Sequence, residues 1–140
     1  MSYKFKEIWC NKGNFTENNR KYSDIDTLVI HYTGNDGDTA ENNGNYFKNN
    51  VVETSAHYFV DDTTVVRSVA DKNIAWHAGD WNINCRSIGI EIAGSTTECT
   101  GKTLENVIAL TKELMKKYNI TKDRVIRHYD ANGKLWDRKS

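Results

Sequence analysis

The chain has 140 residues, with 19 acidic and 19 basic side chains and a formal net charge of zero. That length holds one domain with a real core and is too short for two ordinary ones, and a balanced charge without a basic stripe excludes an electrostatic nucleic-acid binder. The apolar runs are strand-sized and Met1 to Trp9 is mixed and charged, so neither membrane insertion nor a secretory leader is expected, and synthesis is placed in the cytoplasm.

Residues 1–24 are polar and aperiodic and read as an N-terminal arm with room for one short strand; residues 25–140 read as the core. Thr27 to Tyr32 (TLVIHY) is a continuous, β-branched apolar run, which suits a strand covered on both faces, and Thr33-Gly34-Asn35-Asp36-Gly37 ends it with turn chemistry. Asp38 or Thr39 can cap a short helix carrying Glu41, Tyr46 and Phe47. Ser55 to Val60 and Thr64 to Val69 flank Asp61-Asp62-Thr63 as a hairpin. Residues 71–86 lack periodicity and read as a long surface loop holding Trp76, His77 and Trp81. Ser87 to Ala93 (SIGIEIA) is a further buried strand. Thr103 to Tyr118 is an amphipathic helix with Leu104, Val107, Ile108, Leu114, Met115 and Tyr118 in one stripe and Lys116 and Lys117 at its end. Val125 to His128 is a last short strand, followed by an Asn132-Gly133 turn. The fold class is α/β, a single domain with a central mixed β-sheet flanked by helices. Cys10, Cys85 and Cys99 are odd in number and lack C-x-x-C spacing, so free thiols are expected.

His31 and His128 stand in matched contexts, each after apolar β residues, each before a tyrosine, and each where a strand runs into a turn. Strand ends are where α/β sheets assemble sites. Two readings stay open: histidines satisfied by backbone, or two imidazoles sharing a metal. Glu91 interrupts an apolar strand, and an isolated buried carboxylate costs several kcal/mol. It must be ion-paired, coordinated or kept protonated, and a glutamate whose pKa is raised by its environment beside a metal-bound water is what a hydrolase needs for a general base. Lys134, just after the Asn-Gly turn, can put an ammonium beside an oxyanion or sit solvated in a loop.

Five motifs in order resemble the zinc-dependent N-acetylmuramoyl-L-alanine amidases of type 2, a family that includes phage endolysins, autolysins and peptidoglycan-recognition proteins. They are VIHYT (29–33), SAHYFVD (55–61), AWHAG (75–79), SIGIEIAG (87–94) and RHYDANGK (127–134). The resemblance implies an amidase catalytic domain over residues 1–140 that hydrolyses the amide between N-acetylmuramic acid and L-alanine of bacterial peptidoglycan. It implies Zn2+ held by His31 and His128, water activated by Glu91, an oxyanion stabilised by Lys134, and substrate held by His77 and Trp76. His57 lies in a matching motif and reads equally as a hydrogen-bonded residue of the sheet. A monomer made in the bacterial cytoplasm, of phage or prophage origin, acting on the cell wall, completes the expectation.

One position departs from the family. Where its phage-like branch has a cysteine ligand two residues past the lysine, this chain has Trp136, and an indole cannot bind zinc. Another branch uses aspartate there, but Asp137 is three residues past Lys134. The alternative is therefore a catalytically impaired peptidoglycan-binding module with an incomplete zinc site.

Overall fold

The structure is a computed structural model that describes residues 3–95 and 98–128. Among the described residues, eight strands and three α-helices are β1 (Lys4–Glu7), β2 (Phe15–Thr16), β3 (Thr27–Asp36), α1 (Ala40–Asn49), β4 (Tyr58–Val60), β5 (Thr64–Arg67), β6 (Ile74–Ala75), α2 (Trp81–Arg86), β7 (Ser87–Gly94), α3 (Gly101–Tyr118) and β8 (Val125–Arg127). Six strands form one sheet in the order β1-β5-β4-β7-β3-β8, and β2 pairs separately with β6. Only the β4/β5 hairpin is antiparallel within the large sheet, so the sheet is mixed, as expected.

Period-two alternation divides the strands between two faces. Leu28, Ile88, Ile90, Ile92, Tyr58 and Val60 meet Val107, Leu110, Leu114 and Tyr118 of α3 in the main core. Val29, His31, Gly89 and Glu91 point the other way. That second face is covered in pieces: Ala40 and Phe47 of α1 pack on Phe59 and Val66, and Ala78 and Ile83 pack on Val29 and Ile126.

Three elements differ from the sequence expectation. The arm is part of the sheet: β1 runs parallel to β5 at its edge, and Asn14, fully buried, donates to the Phe47 and Asn50 carbonyls and accepts from Val52 and Glu53 N–H. Every hydrogen-bonding direction of that amide is used, which is what a buried asparagine requires. Residues 71–86 are not a surface loop, because Ile74, Ala75, His77, Ala78 and Asn84 are buried and β6 and α2 lie within it. In α3, Leu104 and Ile108 are exposed; the buried stripe is Val107, Leu110, Leu114 and Tyr118, and Asn119 ends the helix in the left-handed conformation. The helix begins at Gly101, with Thr100 rather than Thr103 at the cap position.

An ion cluster fixes the start of the parallel strands. Asp26, one residue before β3, receives Arg86 through Nε at 2.9 Å and Nη2 at 2.5 Å, and Arg124 Nη2 lies 3.2 Å from it. These arginines precede β7 and β8, so one carboxylate ties together the three strands whose far ends carry Glu91, His31 and His128. Hydrogen bonds from Arg86 hold its carboxyl down to about 2. The three cysteines are free.

Candidate active site

Register brings the sequence-predicted residues together. His31 pairs with Glu91, which pairs with Phe59, and Arg127 pairs with Ile30 on the other side. His128 follows at once, opposite His31, with ring centroids 4.9 Å apart in an edge-to-face arrangement. Two imidazoles and a carboxylate thus stand side by side across adjacent parallel strands, near their C-terminal ends.

Glu91 has no hydrogen-bonding partner among the described residues. Burial, with the Asp38 carboxylate adding to it, raises its carboxyl to about 8. Asp38 is itself held in place, accepting from Gly94 N–H and from the Asn43 amide, both at 2.7 Å. Beyond Thr33, the next residue on the His31 face of β3, lies a cavity of about 420 Å³, bounded on one side by Asn42, Asn43 and Tyr46 of α1. Its amide-rich wall can pair with the polar backbone of a peptide or the acetamido groups of a glycan.

All four histidines form one row. From His128 and His31 it continues to His77, with centroids 5.1 Å from His31, and then to His57, 6.1 Å from His77. The inner end is closed. His57 Nδ1 accepts from Gly89 N–H at 3.1 Å, so Nε2 carries the proton and donates to the Asn73 carbonyl at 2.9 Å. Burial, with the Arg20 cation beside it, lowers its pKa to about 4, and the neutral ring is a structural part of the sheet.

His77 is buried, with Nδ1 3.0 Å from His31 Nε2 and Nε2 3.0 Å from Ser87 Oγ. Asn84 Oδ1 fixes its backbone by accepting from His77 and Ala78 N–H at 3.3 and 2.9 Å. The ring rests on Gly89, where a Cβ would come within 2.6 Å of His77 Cγ. Burial drives His77 well below the usual imidazole range and, with His128 nearby, takes His31 to about 3, so both rings are neutral at physiological pH.

Trp76 is half-buried and donates Nε1–H to Thr16 Oγ1 at 2.8 Å, whereas Trp81 is 57% exposed on α2. Lys134, Trp136 and Asp137 lie outside the described residues. Among the described residues no three His, Cys, Asp or Glu groups are arranged to hold a metal ion. The two outer imidazoles nonetheless fit one in chemistry, being close neighbours of which His31 is neutral and buried.

Sequence reasoning missed Ser87, Asp38 and Arg20. Ser87, Gly89 and Glu91 share one face of β7 at period two, a pattern visible in SIGIE. No local signal marks Arg20, which reaches from the arm to donate to the carbonyls of Asp71, Asn84, Cys85 and Ser87 at 2.8–3.2 Å.

The N-acetylmuramoyl-L-alanine amidase family profile matches residues 21–140. This chain belongs to that family. Among its relatives is the N-acetylmuramoyl-L-alanine amidase CwlA of Bacillus subtilis, 38% identical over 112 residues that make up 76% of this chain and 41% of CwlA. A mutant endolysin from Bacillus subtilis has the same fold, with a TM-score of 0.78 at 31% identity over 94% of this chain and 88% of that one. The catalytic domain of XlyA superposes with a TM-score of 0.77 at 32% identity, covering 93% and 87%. The chain spans about two-fifths of the length of the curated relatives it matches, 36% to 41% for the first three. No described helix is long and apolar enough to cross a membrane.

Proposed function

We propose that this member of the amidase family is a zinc-dependent catalytic domain that hydrolyses the amide between N-acetylmuramic acid and L-alanine of peptidoglycan, acting on the bacterial cell wall. The observation that carries the reading is Glu91, a carboxyl without a hydrogen-bonding partner among the described residues, raised to about 8 and set in register beside His31. His31 and His128 are the residues that hold the metal. When bound, zinc supplies a Lewis acid that acidifies water and polarises a carbonyl.

Glu91 then does the proton work. A cation on the adjacent imidazoles favours its ionised form, and its carboxylate takes a proton from the water that attacks the amide carbon. The same oxygen returns that proton to the amide nitrogen as the C–N bond breaks, which leaves the lactyl carboxylic acid and the free amine of L-alanine; the acid then gives up its proton to the amine or to solvent. Lys134, carried over from the family motif, is the proposed donor to the oxyanion, and Trp76 with the α1 side of the cavity the proposed hold on substrate.

The test is release of new L-alanine amino termini from purified cell walls, with zinc content measured on the same protein. Glu91→Gln is expected to lower the rate about 10²–10⁴-fold while zinc is retained. Equal rates for the two proteins, or an undiminished rate after chelation, sink the reading. Trp136 favours a second reading, a module that binds walls without cutting them, and wall binding with no amine release by the wild-type protein selects it.

A further inference from the structure

Two members of the row of histidines take no part in the reaction: His57 is closed within the sheet, and His77 touches a proposed ligand. Imidazole has two ring nitrogens, and His31 Nε2 is taken by His77 at 3.0 Å, so only Nδ1 is left for a cation. We infer that His77 is a positioning residue, which accepts the Nε2–H of His31, passes its own Nε2–H to Ser87 Oγ, and so keeps His31 Nδ1 bare and aimed at the metal. The inference rests on the proposed zinc site at His31 and His128.

The need for a bare nitrogen at the metal gives the direction of the chain. With protons running outward from Ser87, Nδ1 of His31 carries the hydrogen and has no lone pair to offer a cation. Running inward, His31 Nε2–H donates to His77 Nδ1 and His77 Nε2–H to Ser87 Oγ, and His31 Nδ1 is left bare. The supporting geometry is rigid on every side. Ser87 and His77 are buried, Asn84 holds the His77 backbone, and the ring packs so closely on Gly89 that a Cβ there would come within 2.6–2.8 Å of it. Ser87, Gly89 and Glu91 thus share one strand face: the end of the proton chain, the seat of the ring and the general base. An outer layer that fixes a ligand's tautomer and ring angle typically contributes 10- to 100-fold in metal affinity.

The experiment has two arms on the full chain. In the first, zinc affinity is measured by competition with a chromophoric chelator for wild type, His77→Leu, His77→Asn and Ser87→Ala, with folding of each checked by its thermal melt. Leucine fills the space without an acceptor and is expected to weaken zinc 10- to 100-fold. Asparagine carries an oxygen near the place of Nδ1 and is expected to recover most of that, and Ser87→Ala to lose about tenfold or less. Wild-type affinity in the leucine variant, or an asparagine variant as weak as leucine, overturns the role. In the second arm, 15N NMR of the wild-type imidazoles reads the proton of His31 without zinc and needs no variant to fold. A proton on Nε2 supports the inference and one on Nδ1 overturns it. Failure of the wild type to take up zinc would instead fall on the metal site itself, and the NMR result would still decide the direction of the chain.

Discussion

Under α3, the sheet is closed by Leu28, Ile88, Ile90 and Ile92 against Val107, Leu110 and Leu114, none of them more than 8% exposed. The opposite face of the same strands holds His31, Gly89 and Glu91 and is covered by two small apolar patches and a row of imidazoles. One face is dry and continuous, the other polar and broken. The difference shows how a domain of this size carries a half-buried carboxyl that has no hydrogen-bonding partner among the described residues. Burial of apolar area at about 25 cal/mol per Å² on the α3 side supplies the stability, and the site side can then hold groups that detract from it.

Neighbouring residues of β7 separate the two roles, since Ile90 faces α3 and Glu91 faces the site. Glu91→Gln is the change with the largest expected effect on chemistry, and it should alter stability by less than about 1 kcal/mol, read from denaturant midpoints. A drop of several kcal/mol in that variant would make Glu91 a structural residue. Ile90→Ala should do the reverse, costing about 2–5 kcal/mol of stability while the activity per folded molecule stays close to wild type. Gly89→Ala lies between them. Its new methyl meets the His77 ring at 2.6–2.8 Å, so about 1–3 kcal/mol of overpacking should come with a loss of zinc affinity like that of His77→Leu. A variant that loses only stability would mean the ring can shift without consequence for His31.

The smallest effect is expected far from either face, at Asp26. Its carboxyl is held to about 2 by Arg86 first and Arg124 after, so its ion pairs stabilise the fold above the ordinary carboxylate range and that contribution is lost as pH falls towards 2. Asp26 is partly exposed, and solvent screening keeps the contribution to at most about 1 kcal/mol. Asp26→Asn should therefore lower the melting temperature slightly at pH 7, with the gap to wild type closing between about pH 4 and pH 2. A gap independent of pH would assign the loss to packing.

Much of this was legible before any coordinates. The β-branched run of β3, the SIGIEIA strand, the Asp61-Asp62-Thr63 hairpin and the amphipathic α3 carry local signals of period and turn chemistry. The five family motifs named His31, Glu91 and His128 in order, and the parallel register of β3, β7 and β8 sets them side by side. What stayed hidden is long-range. The arm had room for a short strand, but where β1 goes is not legible, because its four residues are exposed without alternation and its place is set by the edge that β5 offers. Residues 71–86 look like a loop because their burial comes from Arg20 of the arm and Gly89 of β7, partners that lie outside the segment.

The sequence by itself determined the central strands β3, β4, β5, β7 and β8, the helices α1 and α3, the amidase family and the residue types of the site, because hydrophobic period and short motifs are local properties of a chain. Tertiary structure alone decided what each histidine does. His57 is closed by Gly89 and Asn73, His77 is shared between His31 and Ser87, and His31 has one nitrogen without a partner among the described residues. The physical reason is that an imidazole's role depends on which of its two nitrogens is already satisfied, and the groups that satisfy them come from other strands and loops, brought into reach only when the sheet forms.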